Sequence, residues 1–349
     1  MKKRHTSKDI AAMANVSRGT VDRVIYNRGN VSEKSRLKVE KVLREINYSP
    51  NVNAKVLKLG KPTSVGVLFP SATLDIYWQK AKDGFMSASK ELRVYNLEFH
   101  FYEFDNLNAS QFKTMSHDAI ENKHDAIIFA PFFNKESIDF VASIEKNNIP
   151  YILFNCNIDN GHQTPFVGQD LFQSGRIAGS LLYKLLGRNC QKVAIFHFDE
   201  PFENAPHMQQ KQAGFEDFFI SKGVPKHQVL TYNINEVEHT VESLKIKQVF
   251  DQHPDLQGVF VSTSKAYKIG HYVKKAGLDI RIVGCDLIPS NIDLVREEVI
   301  DIVLCQNIFH QAVKASKLLV DKIFSNRMLN EEYHVPVNIC FKENIDFFK

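Results

Sequence analysis

The sequence predicts an all-α headpiece over residues 1–49, a connecting segment over 50–61, and an α/β region over 62–349 built as two doubly wound parallel-sheet lobes. Three observations support this architecture. Residues 6–46 carry three short runs of helically spaced apolar side chains. From Ser64 onward, apolar runs of strand length alternate with amphipathic helical ones, the pattern of parallel sheets covered on both faces. The charge divides at the same place: residues 1–61 hold 15 Lys and Arg against 5 Asp and Glu, and the remainder 29 against 35. A basic segment joined to an acidic one points to nucleic acid at one end of the molecule.

The headpiece is read first. Thr6-Ser7-Lys8-Asp9 has the form of a capping box, which satisfies orphan backbone donors at a helix start. Ile10, Ala11 and Ala14 supply a small apolar face, and Asn15 stands where the chain must turn, tolerating a left-handed backbone. Ser17 can cap a second helix with Val21, Val24 and Ile25 inward. Arg18, Gly19, Thr20, Asp22 and Arg23 then face outward, the layout of a helix-turn-helix that offers its second helix to a DNA major groove. Asn27-Arg28-Gly29-Asn30 is a turn, Ser32 an N-cap, and Val39, Val42, Leu43 and Ile46 the inner face of a third helix that ends before Pro50. Residues 51–59 are too short to be a stable helix alone and suit a segment that folds against DNA. Leu57, between Lys55 and Lys58, has the character of a minor-groove wedge.

Bulk composition excludes several classes. At 349 residues the chain has length for two or three domains, and 44% hydrophobic with 24% charged residues is ordinary for a globular protein. Five scattered cysteines without CxxC spacing are expected to be buried thiols in a reducing compartment. The basic N-terminus is followed by no apolar h-region, and no run approaches the roughly 18 apolar residues of a membrane span. A bacterial cytoplasmic protein with no membrane partner is the expectation, associated with the nucleoid when bound to DNA.

In the α/β region, strands are expected at 65–69, 97–104, 126–130, 151–154, 193–198, 259–261, 282–285 and 302–305, with helices such as 77–92, 134–147, 173–186 and 266–276 between them. Ligands bind such sheets beyond the carboxyl ends of the strands. The loops there hold no GxGxxG, P-loop, HExxH or nucleophile elbow, so neither catalysis, a cofactor nor a metal is expected. They collect aromatic, amide and acidic residues instead: Asp75, Tyr77 and Trp78 after the first strand, Asn155, Asp286 and Gln306 after later ones. An aromatic face with a few carboxylates and amides grips a sugar through stacking and hydroxyl pairing. The same Tyr-Trp pair equally suits a core, and an Asp after a strand is often a helix cap.

The run DIAAMANVSRGTVDRVI, with NYSPNVNAKVLKLGK after the third helix, closely resembles the headpiece and hinge helix of the lactose-repressor (LacI) family. By matching position, the resemblance places Arg18, Gly19 and Arg23 where that family reads bases, and Thr6, Ser17 and Thr20 at phosphates, with Asn30 also among the DNA contacts. It places Leu57 as the intercalating wedge, with Ala54 and Lys55 on the same groove-facing turn. Arg23 is the best physical candidate for a bidentate guanine contact, worth about 1–3 kcal/mol of discrimination. Gly19 has no side chain to read a base, and Asp22 stands for the family's usual Ser, so it must accept from a cytosine amino group or pair with a neighbouring Arg. The operator sequence does not transfer.

Residues 62–349 resemble the type I periplasmic-binding-protein fold that serves the family as effector domain, most clearly in FVGQDLFQSGRIAGSLL (166–182). VGCD (283–286) followed by IVLCQ (302–306) is similar to the ribose-binding branch, in which the positions of Asp75, Tyr77, Trp78, Asn155, Cys156, Gln209, Ser264, Asp286 and Gln306 line the sugar site. Asn155-Cys156 stands for that branch's Asp-Arg pair, Gln209 for an Arg and Ser264 for an Asn, so the pocket is expected to keep its stacking wall and lose much of its charge. This implies a carbohydrate-like effector other than ribose. Polyols, nucleosides and phosphosugars remain open, the last disfavoured by the lack of an Arg cluster.

The resemblance also implies lobe crossings near 163–165, 306–308 and 332–336, giving one lobe of about 62–163 with 307–332 and another of about 164–306 with 333–349. No leucine heptads follow Phe348, so a homodimer on double-stranded operator DNA is expected rather than a coiled-coil tetramer. The function implied is a transcriptional regulator, in this family commonly a repressor released by its small-molecule effector. The rival, a solute receptor of the same fold, would require export, which the basic headpiece and missing signal peptide oppose.

Overall fold

The computed structural model describes residues 5–25, 29–46, 60–158, 161, 164–187, 192–235, 238–325 and 332–348. Ala54, Lys55 and Leu57 of the expected hinge, and Cys190, lie outside the described residues.

Three helices, α1 (Ser7–Ala14), α2 (Arg18–Ile25) and α3 (Glu33–Glu45), form the headpiece. The capping box is present: Thr6 Oγ1 accepts from the Asp9 amide at 3.3 Å, and the Asp9 carboxylate accepts from the Thr6 amide at 2.7 Å. Asn15 takes the left-handed conformation at φ 50° that ends α1. Ser17 Oγ accepts from the Thr20 amide at 3.1 Å, satisfying a donor at the start of α2. Ile10, Ala11, Ala14, Val21, Val39 and Val42 close over one core, with Val24, Ile25, Leu43 and Ile46 packed against it. Ser32 departs from expectation. It stands at the N-cap of α3, but its hydroxyl donates to Ser35 Oγ at 2.9 Å and bonds no backbone amide.

The α/β region runs β1 (Thr63–Pro70), α4 (Ile76–Glu91), β2 (Leu97–Phe104), α5 (Ala109–Glu121), β3 (Ala126–Phe129), α6 (Asn134–Lys146), β4 (Tyr151–Asn155), β5 (Phe166–Gly168), α7 (Leu171–Leu186) and β6 (Val193–Phe198). It continues with α8 (Pro206–Ser221), β7 (Val229–Ile234), α9 (His239–Gln252), β8 (Gly258–Val261), α10 (Ala266–Ala276), β9 (Arg281–Cys285), α11 (Pro289–Arg296), β10 (Ile302–Cys305), α12 (Ile308–Ser325), β11 (Glu332–His334) and β12 (Asn338–Cys340). One sheet has the order β2-β1-β3-β4-β5-β11 and the other β7-β6-β8-β9-β10-β12. Each is therefore wound outward in both directions, with its switch point beside β1 or β6. The inner strands are buried from end to end, as strands covered on both faces must be. Pairing is parallel except for β10 with β12.

The first crossing between lobes lies beyond the expected 163–165, because Phe166–Gly168 pair with β4 and with β11 in the first sheet. β11 also belongs to that sheet and not to the second lobe, so the last crossing follows His334. Gln169 ties the crossings together: its amide nitrogen donates to Cys305 O and to Pro336 O, each at 3.2 Å. Strands β5, β7, β11 and β12 escaped the sequence reading. Three-residue pairings carry too little pattern to register, and the half-exposed β7 mixes polar with apolar positions.

Candidate DNA-reading surface and interlobe cleft

On the headpiece, α2 presents Arg18, Gly19 and Arg23 exposed, with Thr20 and Asp22 half-buried beside them. Ser17 and Thr6 are exposed at helix N-termini, and Asn30 lies exposed before α3. Ser17 and Thr20 hydroxyls share a 2.9 Å hydrogen bond. Of the two roles open to Asp22, the fold displays pairing with Arg18, at 4.0 Å across one helical turn. Such an exposed pair is worth at most about 1 kcal/mol, so a base or phosphate can compete for either partner. Gly19 is open, since a Cβ there would approach only Ser17 Oγ, at 3.8 Å.

The two sheets turn the carboxyl ends of their central strands toward one cleft. Asp75, in the loop after β1, caps α4 by accepting from the Tyr77 amide at 3.0 Å. Its other oxygen takes Lys265 Nζ from the opposite lobe at 3.1 Å. Asn155 ends β4 at φ 72° and donates its side-chain amide to Tyr77 Oη at 2.8 Å. Trp78 is 3% exposed, with ring centroids 6.2 Å from Phe69, 6.3 Å from Phe132 and 6.2 Å from Phe154. It is thus a core residue with one edge on the cleft, so the packing and the lining roles coexist. Asp286 follows β9 at φ 65°, a backbone region that Asp and Asn tolerate better than other residues. Gln306, after β10, donates its side-chain amide to Asp286 Oδ2 at 2.9 Å. Asn291 Nδ2 donates to Ser264 O, Cys285 O and Asp286 O, which locks the β8 and β9 loops together and sets Ser264 at the rim.

Two expected residues stay out of the cleft. Cys156 is fully buried and its thiol donates to Pro131 O at 3.3 Å, with burial pushing its pKa up. The chain leaves β4 at Asn155 in the left-handed conformation, and the Cys156 side chain turns into the core behind the cleft. Gln209 is turned away as well, donating to Phe202 O at 2.8 Å. From α8 the cleft receives His207 and Lys211 instead, one helical turn apart on one face. The expected loss of charge is therefore wrong. Lys211, only 2% exposed, donates to Ser262 O at 2.7 Å, and Glu200 Oε2 lies 3.0 Å from His207 Nε2.

Electrostatics follow from this enclosure. Burial raises the Asp286 carboxyl to about 6, opposed by the Lys211 charge and by the Gln306 hydrogen bonds. Burial also raises Glu200, with His207 pulling the other way. Thr263 Oγ1 and His207 Nδ1 are buried without a hydrogen-bond partner among the described residues. The Asp199-Glu200 pair after β6, the PFF run after β3 and the STSK run after β8 supplied Glu200, Phe132 and Thr263, and their position after strands was the signal available for them. Among the described residues no cluster of three or more His, Cys, Asp or Glu could hold a metal ion, and no helix is long and apolar enough to cross a membrane.

A basic helix-turn-helix joined to a two-lobed cleft of this topology defines a DNA-binding regulator with a ligand-binding-type core. Comparison with known proteins agrees. Residues 6–51 match the model for bacterial regulatory proteins of the lacI family, and residues 65–326 match that for a periplasmic binding protein domain. The chain is similar to the sucrose operon repressor of Streptococcus mutans, 30% identical over 259 residues that cover 73% of this chain and 72% of that one. It is 24% identical to the ribose operon repressor of Halalkalibacterium halodurans over 97% of this chain and 96% of that one. In fold it is similar to a putative LacI transcriptional regulator from Bacteroides fragilis, with a TM-score of 0.76 at 23% identity over 83% of this chain and all of that one (100%). It is also similar to the lac repressor dimer bound to operator, with a TM-score of 0.65 at 18% identity over 97% of this chain and 98% of that one. The chain belongs to the LacI family of bacterial transcriptional regulators, and it carries a periplasmic-binding-protein domain.

Proposed function

We propose that this regulator is a repressor, acting as a homodimer on a roughly palindromic operator and answering to a carbohydrate-like effector held in the interlobe cleft. In this reading residues 1–49 bind DNA, 50–61 form the hinge and 62–349 bind the effector. Arg23 and Arg18 read bases from α2, while Thr6, Ser17, Thr20 and Asn30 hold phosphates. Paired hinge segments insert Leu57 from each protomer into the minor groove, with Ala54 and Lys55 beside it. Effector binding shifts the equilibrium between lobe arrangements and so changes the stability of the paired hinges, which requires different affinities for the two states. A cytoplasmic location follows from this role.

The observation that carries the effector assignment is the pairing of Asp286 with Gln306 opposite the Tyr77–Trp78 edge, next to two unpartnered polar atoms, Thr263 Oγ1 and His207 Nδ1. Carboxylate, amide and hydroxyl groups around an aromatic wall suit a polyhydroxylated ligand. Thermal unfolding of the full chain with neutral sugars, polyols, nucleosides and sugar phosphates tests this. A compound present at 100 times its dissociation constant should add about 2.7 kcal/mol. A shift with a neutral sugar or polyol supports the reading, and a response confined to phosphorylated compounds, or none at all, overturns it.

Two substitutions test the DNA half. Arg23→Ala should weaken cognate operator binding by about tenfold to a hundredfold and relax preference at one base pair, read by fluorescence anisotropy. Unchanged affinity and preference would mean that α2 is wrongly placed. Leu57→Gly should abolish operator bending, measured by energy transfer between end labels, while leaving effector affinity unaltered. Bending that survives would remove the wedge.

A further inference from the structure

Cys305 and Cys340 stand apart from the other described cysteines. Strands β10 and β12 pair antiparallel, with Cys305 opposite Asn338 and Val303 opposite Cys340. Side chains alternate along a strand, so Val303, Cys305 and Cys340 share one face of the second sheet, over the same apolar core. The two thiols are diagonal neighbours there, and Cys340 hydrogen-bonds the Cys305 sulfur. Cys285 is opposite Leu304, and both lie in the core of the other face, so the sheet stands between Cys285 and the pair. Cys156 is in the first lobe, where its thiol donates to Pro131 O.

The pair is asymmetric. Cys305 is half-buried and opens onto a cavity of about 430 Å³ lined also by Lys80, Asn307 and Phe309, whereas Cys340 is fully buried. The hydrogen bond from Cys340 holds the Cys305 thiol below its ordinary pKa, joined by the Asn307 amide and the Lys80 charge, against burial and the Asp286 carboxylate. The same bond pushes Cys340 up. Burial pushes Cys285 up to about 12 and raises Cys156 as well. A reachable thiol with thiolate character, set beside a second thiol, is the arrangement that oxidants attack first.

We propose that Cys305 and Cys340 are a peroxide-sensitive dithiol whose closure into a disulfide resets the interlobe cleft. The Cys305 thiolate attacks one oxygen of hydrogen peroxide, the O–O bond breaks, and the departing hydroxide takes up a proton and leaves as water. Cys340 then gives up its proton and attacks the Cys305 sulfenic acid, forming the S–S bond and releasing a second water. Two thiols are thereby oxidised, and one peroxide is reduced to two waters. Diagonal positions on paired strands have Cα atoms about 7–8 Å apart, whereas a disulfide needs about 4.4–6.8 Å, so closure draws β10 and β12 together. Gln306 directly follows Cys305, and its backbone and side-chain amides both donate to Asp286. Cys305 O also accepts from Gln169, where the lobes cross. Oxidation therefore displaces the Gln306–Asp286 pair, whatever the cleft binds.

The test treats the full chain with hydrogen peroxide in a Cys190→Ser background, which removes the cysteine that lies outside the described residues. Peptide mass spectrometry without reductant should find Cys305 linked to Cys340, and the intact chain lighter by two hydrogen atoms. Trp78, the chain's single Trp, lines the cleft with Gln306 and Asp286, so its emission should shift on oxidation and return with dithiothreitol. Cys340→Ala should stop at a sulfenic acid on Cys305, trapped by dimedone, and Cys305→Ser should leave Cys340 unoxidised. Peroxide that leaves both thiols free in the parent, or links either of them to Cys156 or Cys285, overturns the dithiol. A Cys305–Cys340 bond that forms without any change in Trp78 emission overturns its coupling to the cleft.

Discussion

Asp286→Ala is expected to abolish effector binding while leaving the protein folded, and to flatten the dependence of its stability on pH. The carboxylate sits fully buried beyond β9, and its pKa of about 6 arises first from that burial. Holding it ionised at pH 8 costs the fold about 3 kcal/mol relative to an ordinary Asp. The sign follows from the raised value. The folded protein binds the proton more tightly than the unfolded chain does, so stability is greatest below the ordinary Asp pKa and falls as pH rises through about 6. Removing the carboxyl removes this slope, although Gln306 then loses the acceptor for its side-chain amide.

In the proposed reading, the return for a carboxylate kept at such cost is contact with the ligand. Each charge-assisted hydrogen bond from a ligand hydroxyl is worth about 1.5–3 kcal/mol, so losing two weakens binding by about a hundredfold or more. Calorimetry should therefore find no measurable heat with Asp286→Ala. In the parent, affinity should fall as pH drops from 8 to 5, because the protonated carboxyl accepts less well. An unchanged dissociation constant in the variant, with no dependence on pH, would remove Asp286 from the site.

Local physics made much of the headpiece legible. The capping box at Thr6, the left-handed turn at Asn15 and the cap at Ser17 are short-range devices fixed within four residues, and each has its expected partner. The alternation of strands and helices likewise foretold two wound sheets, since a strand buried on both faces can hardly be anything but apolar. Asp286 and Gln306 were legible because they directly follow such strands. Cys156 turns inward after β4, where its thiol reaches Pro131 O, and Gln209 differs for another reason. Which residue of α8 faces the cleft depends on how that helix is rotated against α7, and two positions along a helix amount to roughly 200°. Position matching carries no information about that rotation, so His207 and Lys211 came to light only in three dimensions. The charge they bring to the cleft was missed with them.

That rotation is fixed by two glycines, and Gly214→Ala is expected to destabilise the second lobe by about 3 kcal/mol or more. Gly175 of α7 and Gly214 of α8 face each other's backbones: a Cβ on Gly175 would lie 2.0 Å from Lys211 O, and one on Gly214 would lie 1.9 Å from Phe172 O. Neither position needs a glycine for its backbone angles, and Ala in a helix interior is ordinarily favoured by about 1 kcal/mol. The contact is with main-chain atoms that cannot swing aside, so the helices must separate, and the penalty exceeds the usual 1–3 kcal/mol (roughly) of overpacking. Gly179→Ala is the milder comparison, because the atoms nearest its Cβ belong to the Phe218 side chain, at 3.0–3.2 Å, and not to the main chain. Since Lys211 O is the atom against Gly175, pushing α8 outward also draws Lys211 and His207 from the cleft, and effector affinity should fall along with melting temperature. Calorimetric unfolding that finds Gly214→Ala as stable as the parent would show that α7 and α8 are not packed backbone to backbone. Retention of stability loss without loss of affinity would show instead that this helix contact does not position Lys211 for the ligand.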